Sequence, residues 1–435
     1  MEAMQETHTD IVVVGGGMGG LVAAAVAARS GASVTLIDSA RLGGRARTTD
    51  KDGYRFNQGP RAVYLSGATG RVLQELGVSL PGGPPATGIA SVVYRGEVHR
   101  LPATPALMIK SGLMGLADKA RLGRVLARLS RLDTAALADR STTQWIHGLG
   151  LGDAAATLVA TLIRVATYSA DLDRLSADAG AAQLRAAATG PGVRYLDGGW
   201  QRMVDELANI ATAAGARLID RRPVRSIEAG PAGYRVVTDG ESIVAGALIM
   251  AAGSPATAER LLPGDHTFDR LGPDVTAACL DLGLASAPTP LAMFGMDEPL
   301  YFSTHCPPAD LAPEGGAVVH VMRYGARDGV ADQAELWDFA ARCQVRSEDA
   351  VTKRFLPRMT VSYASPVPEN GGLAGRPGAA VPGLAGAFVA GDWVGGEGLL
   401  ADASVASGRD AAAGALAHLA RRAGTAAVAT VGRAG

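Results

Sequence analysis

Cysteine is scarce in this chain. Cys279, Cys306 and Cys343 are the only three among 435 residues, they stand far apart, and no CxxC occurs. That excludes a disulfide framework and fits a reducing, cytoplasmic setting. Lysine is nearly as rare, with only Lys51, Lys110, Lys119 and Lys353, so almost all positive charge is arginine, a bias of genome composition more than of function. Aromatic residues make up 5% of the chain. Neither sign of charge dominates, since 41 basic residues stand against 42 acidic ones, so no bulk field points to nucleic acid or to a polyanion. The first residues lack the basic region of a secretory signal. Residues 11–28 are uncharged over a length that could span a bilayer, but five glycines fall among them. Such a segment turns back on itself, and a soluble protein is expected. His305 and His320 have no partners at metal-ligand spacing, so no metal is expected, and no Ser/His/Asp nucleophile arrangement stands out.

What is present begins with Asp10-Ile11-Val12-Val13-Val14-Gly15-Gly16-Gly17-Met18-Gly19-Gly20. It reads as a buried strand, a glycine turn and the start of a helix. Gly15 permits the tight turn, Gly17 lets the backbone approach a pyrophosphate, and Gly20 lets the helix pack closely on the strand. The helix runs from about Gly19 to Ser30, with Gly31 as its stop, and its free N–H groups face the phosphates. Ala32 to Ile37 form a second strand that delivers Asp38, followed by Ser39, to its end. About 20 residues beyond the turn, an acid accepts hydrogen bonds from a ribose diol. The whole βαβ unit reads as a dinucleotide site. Alone it does not choose between NAD and FAD.

Two further patterns lengthen the site. Arg41-Leu42-Gly43-Gly44-Arg45-Ala46-Arg47-Thr48 follows the acid directly; its glycines expose backbone N–H groups and Arg45 supplies a forked donor to phosphate. Far downstream, Ala387 to Trp393 is an apolar strand ending in Gly391-Asp392, then a glycine loop, then an alanine-rich helix holding Asp402-Ala403-Ser404-Val405-Ala406-Ser407-Gly408-Arg409 and running to about Arg422. Asp392 at the strand end would hold a polyhydroxyl chain, and the helix N-terminus would offer N–H groups to a carbonyl. Between them Ala247 to Ala252 is a buried strand closing on Gly253.

Together these motifs resemble the flavin-containing amine oxidase superfamily, which includes monoamine oxidases, protoporphyrinogen oxidases and phytoene desaturases. Tyr195-Leu196-Asp197-Gly198-Gly199-Trp200 and Val224-Arg225-Ser226-Ile227 also match it. The resemblance covers nearly the whole chain. It implies an α/β fold in which a glutathione-reductase-type (Rossmann-like) FAD-binding domain carries an inserted α+β substrate domain. It implies non-covalent FAD, since no cysteine or histidine adjoins Gly391-Asp392. Arg45 would lie beside the pyrophosphate and flavin ring, and Asp392 would face the ribityl or pyrophosphate region. The backbone of Val224 would flank the adenine, and the amide near Val405 would approach the flavin pyrimidine. The loop Gly59-Pro60-Arg61 is expected near the flavin.

In such proteins the FAD domain is discontinuous, here residues 1–89, 191–270 and 376–435. Residues 90–190 and 271–375 would form the substrate domain. The first insertion opens with a hairpin, Ser91 to Arg95 and Val98 to Leu101 around Gly96, and continues as helices to Ala188. The second is strand-rich, with Ala278 to Leu284 in the strand period. The tail after Arg422 is expected to fray. Amine-oxidising members carry a lysine near the flavin on a substrate-domain strand, yet none falls between Thr276 and Gly295, and Lys353 reads as a solvated helix end. Asp297 to His305, Leu311 to Gly316 and Phe56 to Pro60 are similar to phytoene-dehydrogenase-related proteins. The favoured reading is therefore an FAD-dependent oxidoreductase that removes hydride from a largely apolar small molecule. An amine or amino-acid oxidase and a non-redox flavin-dependent isomerase are the alternatives. The electron acceptor, oxygen or quinone, stays open, as does the oligomeric state. Tyr64, Tyr301, His305 and Trp393 are candidate substrate contacts, against a competing reading of ordinary packing. Arg121, Arg124, Arg128 and Arg131 share one helical face opposite Leu122, Val125, Leu129 and Leu132. That pattern suits either a solvated helix or a peripheral membrane contact.

Overall fold

The computed structural model describes residues 5–269 and 271–431, so the boundary expected at Arg270 and the last four residues lie outside the described chain. Two seven-stranded sheets organise it. In the first, Gln5–Val14 sits between Val34–Ile37 and Glu241–Met250, parallel to both. Its Ile11 to Val14 run is buried on both faces, as expected for a central parallel strand. Arg217–Ile219 extends one side in parallel, and Ala387–Val389 pairs in parallel with Glu241–Met250. Gly233–Thr238 and Val224–Gly230 add an antiparallel hairpin. The C-terminal end of the chain thus returns to the sheet that its N-terminus began.

The helix Met18–Arg29 packs on this sheet through its alanines, ten of its twelve residues being buried. Close packing is possible because Gly20 lacks a side chain: a Cβ there would lie 1.8 Å from the Gly15 carbonyl oxygen. The last helix, Leu400–Val431, crosses it with equal intimacy, a Cβ on Gly408 falling 2.3 Å from the Gly19 oxygen. This helix continues through the segment expected to fray after Arg422.

The second sheet runs Ala350–Ser362, Val275–Leu284, Ala317–Tyr324, Leu300–Cys306, Ala292–Gly295, Ser91–Tyr94 and Glu97–Arg100. It is antiparallel except where Ala292–Gly295 meets Ser91–Tyr94. The helices Leu116–Leu129, Asp153–Thr167 and Ala177–Ala188 share a buried apolar cluster with one face of the sheet, and Gly329–Arg342 packs on the other. Lys353 lies within the Ala350–Ser362 strand opposite Leu282, not at a helix end, because strand pairing overrides the local helical look of its neighbours. Its Nζ bonds Ser347 and lies over the Trp337 ring at the exposed edge.

Candidate active site

The glycine turn forms the floor of a cavity of about 750 Å³. Gly15 adopts φ +111°, where a Cβ would also strike the Ala251 carbonyl at 2.3 Å, so only glycine fits. Gly17 lines the cavity and has nothing within 4 Å of its missing Cβ, so its backbone is bare toward the space. It also caps the Met18–Arg29 helix without any side-chain hydrogen bond. The first amides of that helix are therefore left for a ligand, in the arrangement that receives a pyrophosphate. Gly43 donates its N–H to the Gly16 carbonyl at 2.7 Å, which clasps the Leu42-Gly43-Gly44-Arg45 loop to the first turn.

Asp38 stands at the end of its strand and lines the cavity. Its two carboxylate oxygens already accept backbone N–H groups, from Gly16 at 2.6 Å and from Ala40 at 2.7 Å. A carboxylate has about four lone-pair sites, so acceptance from a ribose diol stays available while the acid also braces the turn. Ser39 and Val224 line the same region, and Gly253 leaves open space there.

Arg45 and Asp392 form a fork-to-carboxylate pair in the cavity wall, with Nη1–Oδ2 at 2.6 Å and Nη2–Oδ1 at 2.8 Å. Arg45 Nη1 also donates to the Val361 carbonyl, and the Tyr363 N–H donates to Asp392. Burial would lower the basicity of the Arg45 guanidinium, but the Asp392 carboxylate overrides it and holds the pKa above its ordinary value. Arg376, which donates to the Asp392 carbonyl, is pushed down by burial to about 10.

Of the residues expected at the cofactor, Gly15, Gly17, Met18, Gly19, Asp38, Ser39, Gly44, Arg45, Arg61, Val224, Gly253, Gly391 and Asp392 line the cavity. Gly20 does not; its part is the helix–strand contact. Gly59 and Pro60 sit behind the wall, Gly59 packed on Met359 and Pro60 accepting from the Tyr168 hydroxyl. Ala403 and Val405 are fully buried inside the last helix, and Ser404 is the member of that turn facing the cavity. The edge strand contributes Leu356 to Val361, a wall that sequence patterning assigned to the other domain and carried no cofactor motif to reveal.

A second cavity of about 450 Å³ adjoins the first, and Arg61, Trp200, Leu400 and Ala401 line both. Leu400 holds φ +56°, an uncommon conformation for leucine, at this junction. Arg61 is 8% exposed, donates through Nε to the Gln58 carbonyl, lies over the Trp200 ring, and is depressed in basicity chiefly by burial. The remainder of the second cavity is mostly apolar. Leu122, Leu126 and Leu129 turn one face of the Leu116–Leu129 helix toward it while Arg121, Arg124 and Arg128 are exposed. The apolar face of that helix is thus covered by protein, and a membrane contact would rest on its arginine face. No helix among the described residues is long and apolar enough to cross a membrane.

Aromatic residues are few in the chain but concentrated here: five of the nine tyrosines, Tyr64, Tyr168, Tyr195, Tyr301 and Tyr324, line this cavity. Tyr64, Tyr301 and His305 thus lie where substrate contacts were expected. Trp393 does not. Its ring is 1% exposed in the core beneath the first sheet, edge-on to Phe268, and its Nε1 donates to the Gly253 carbonyl.

His305 stacks on Tyr195 with ring centroids 3.7 Å apart, and both of its nitrogens are buried without a partner among the described residues. Burial, then the neighbouring His320, holds it well below the usual histidine range, so it is neutral. Behind it, His320 Nδ1 meets Asp281 Oδ1 at 2.6 Å, and Arg354 Nε donates to Asp281 Oδ2 at 2.9 Å. The Cys279 thiol also donates to Asp281, so these ligand-type atoms lie within 4.8 Å of one another. The Arg354 guanidinium on the same carboxylate makes this a hydrogen-bonded cluster already carrying its cation.

The uncapped helix end, the bare glycines and the acid beside them suit the ADP part of FAD, and the adjoining space reaches the Arg61 junction. Known proteins agree. A family model for flavin containing amine oxidoreductases matches residues 18–287. Coproporphyrinogen III oxidase of Propionibacterium freudenreichii subsp. freudenreichii is 30% identical over 193 residues, 41% of this chain and 35% of that one. Phytoene desaturase of Cercospora nicotianae is 43% identical over 70 residues, 16% of this chain and 11% of that one. The matches span between about a tenth and a third of the curated relatives' lengths. A crystal structure of an oxidoreductase from Methanosarcina mazei shares the fold, with a TM-score of 0.70 at 18% identity over 92% of this chain and 99% of that one.

Proposed function

The chain belongs to the family of flavin-containing amine oxidoreductases, and on that premise we propose that it is an FAD-dependent oxidoreductase removing hydride from a largely apolar small molecule. The observation that carries this reading is the second cavity, about 450 Å³ of leucine and tyrosine wall that meets the cofactor cavity at Arg61, Trp200, Leu400 and Ala401. That volume falls in the range of about 300–1,000 Å³ that encloses a drug-sized ligand.

Gly17, the first amides of the Met18–Arg29 helix, Asp38, Arg45 and Asp392 would hold the cofactor. Bound there, FAD supplies the two-electron acceptor. The protein's own contribution is orientation and dryness. The leucine face of the Leu116–Leu129 helix excludes water, the tyrosine rings give a rigid wall, and Arg61 sets a buried positive charge at the junction.

An amine oxidase is less well supported. An ionised carboxylate to hold a cationic amine, or a lysine to hold a water at the flavin, would support it, and Lys353 lies at an exposed strand edge. The carboxyl group in the cavity wall, Asp402, accepts the Thr69 N–H at 2.8 Å, and burial raises its pKa, which favours the neutral form. The test is anaerobic mixing of the FAD-loaded protein with apolar alkenes and with a panel of amines. Bleaching of the visible flavin bands by the alkenes alone is the expected result. Bleaching by amines alone, or a protein that acquires no flavin bands when incubated with FAD, would overturn it.

A further inference from the structure

Charge is even over the whole chain but not over the first insertion. Between Pro105 and Leu132 six basic residues, Lys110, Lys119, Arg121, Arg124, Arg128 and Arg131, stand against one acid, Asp118. That acid is already engaged, since its Oδ1 accepts from Arg121 at 3.2 Å and from the Gly152 N–H at 3.0 Å. Lys119 Nζ donates to the Ile109 carbonyl at 2.9 Å and ties the Pro105–Lys110 helix to the Leu116–Leu129 helix. The side chains of Lys110, Arg124, Arg128 and Arg131 are exposed and have no ion pair or hydrogen bond among the described residues.

Two large apolar side chains stand among these cations: Ile109 is 73% exposed and Leu116 80%. The second cavity meets solvent beside them. Met108, next to Ile109, lines that cavity, and Ala103, just ahead of the same short helix, is one of three exposed lining residues with Thr87 and Ala188. Arg185 donates to the Leu132 carbonyl at 2.9 Å, which holds the Ala188 side of this mouth against the end of the arginine-bearing segment.

We propose that this face docks on an anionic phospholipid bilayer. The unpaired cations would meet lipid phosphates and carboxylates, Ile109 and Leu116 would enter the interface, and the cavity mouth would lie at the lipid. The Leu116–Leu129 helix does not itself insert, because Leu122, Leu126 and Leu129 are turned toward the second cavity. A nucleic acid would also attract the cations, but its phosphates offer nothing to an exposed isoleucine and leucine. The docking is read from the surface alone and does not rest on the apolar-substrate reading.

The test is co-sedimentation of the FAD-loaded protein with vesicles of phosphatidylcholine alone or with about 30% phosphatidylserine, at low and high salt. Binding to the anionic vesicles should be at least about tenfold tighter, and salt should weaken it. The double variant Arg124→Glu with Arg128→Glu should lose about tenfold or more of that affinity. Ile109→Ser with Leu116→Ser should also lose about tenfold on vesicles and nothing on duplex DNA. Equal binding to both vesicle types, or binding that survives the charge reversal, overturns the proposal. Duplex DNA bound more tightly than the vesicles, or vesicle affinity untouched by the serine pair, would assign the face to a polyanion and overturn it too. Should a variant lose its flavin bands through poor folding, the salt dependence of the unaltered protein on the two vesicle types still decides. Failure of docking leaves the apolar-substrate reading standing, since flavin bleaching in solution tests that separately.

Discussion

Arg45 and Asp392 stand 347 positions apart in sequence and meet through two parallel hydrogen bonds of 2.6 and 2.8 Å. The side chain of Asp392 is 2% exposed, and that of Arg45 33%. This single pair joins the N-terminal glycine loop to the last strand, so it bonds the two ends of the cofactor cavity's sequence into one wall. Removing either partner leaves a buried, unpaired charge, which costs about 3–5 kcal/mol where burial is complete and less here because Arg45 is partly open. Arg45→Ala and Asp392→Ala should each lower thermal stability and flavin retention, and the double variant should be little worse than either single one. Additive losses in a double-mutant cycle would show that the pair is not coupled.

Gly17 and Gly20 separate ligand binding from folding. Ala at Gly20 would place its methyl 1.8 Å from the Gly15 carbonyl and should destabilise the fold by about 1–3 kcal/mol or more. At Gly17 nothing lies within 4 Å, so Gly17→Ala should leave the stability of the FAD-free protein within about 0.5 kcal/mol. The new methyl would project into the space the cofactor needs, so flavin affinity should fall. Denaturation of the apoprotein and FAD titration give the two readouts. A Gly17→Ala protein that binds FAD normally would place the pyrophosphate elsewhere.

Asp38 has two tasks, bracing the turn and facing the cavity. Asp38→Ala should reduce flavin occupancy about tenfold at limiting FAD, since charge-assisted hydrogen bonds are the strong ones. The ratio of flavin to protein absorbance after dialysis measures it. Unchanged occupancy would leave Asp38 with the turn alone.

Asp281 makes acid stability testable. Burial by itself would raise its pKa, but His320 and Arg354 outweigh burial and hold it below the ordinary carboxylate value. A group whose folded pKa is depressed stabilises the protein above its unfolded pKa, about 3.9, and that contribution is lost as pH falls through the folded value. Asp281→Asn should therefore be less stable than the parent at neutral pH, with the gap closing below about pH 4. Urea unfolding at several pH values tests this. A gap that stays constant into strong acid would show that Asp281 does not hold its charge in the folded protein.

The nucleotide-binding unit was legible in sequence because its determinants are local. A strand, a turn needing φ +111° at Gly15, a helix start and an acid after the next strand all fall within the first forty residues. The expected helix from Gly19 to Ser30 is found as Met18–Arg29, and the expected hairpin around Gly96 is present. Errors arose where tertiary context outweighed local pattern. Trp393 follows a cavity-facing aspartate, but adjacent side chains leave the backbone in different directions, and this one enters the core beside Phe268. Ala403 and Val405 bracket the right turn of the last helix, yet helical rotation brings Ser404 to the cavity. The arginines of the Leu116–Leu129 helix drew attention to a surface, whereas the leucines behind them line the second cavity.

Spacing along the chain was sufficient to mark a dinucleotide site, because glycine turns, helix starts and strand-end acids act on neighbours a few residues away; the choice of FAD came from the motifs of the whole chain and the family they resemble. The second cavity, by contrast, exists only in three dimensions. Tyr64, Tyr168, Tyr195, Tyr301 and Tyr324 are scattered over some 260 positions with no motif linking them, and only the packing of helices on the second sheet gathers them. Hydrogen-bond satisfaction is likewise a property of the packed state: nothing near His305 in sequence marks its ring nitrogens as left without a partner among the described residues.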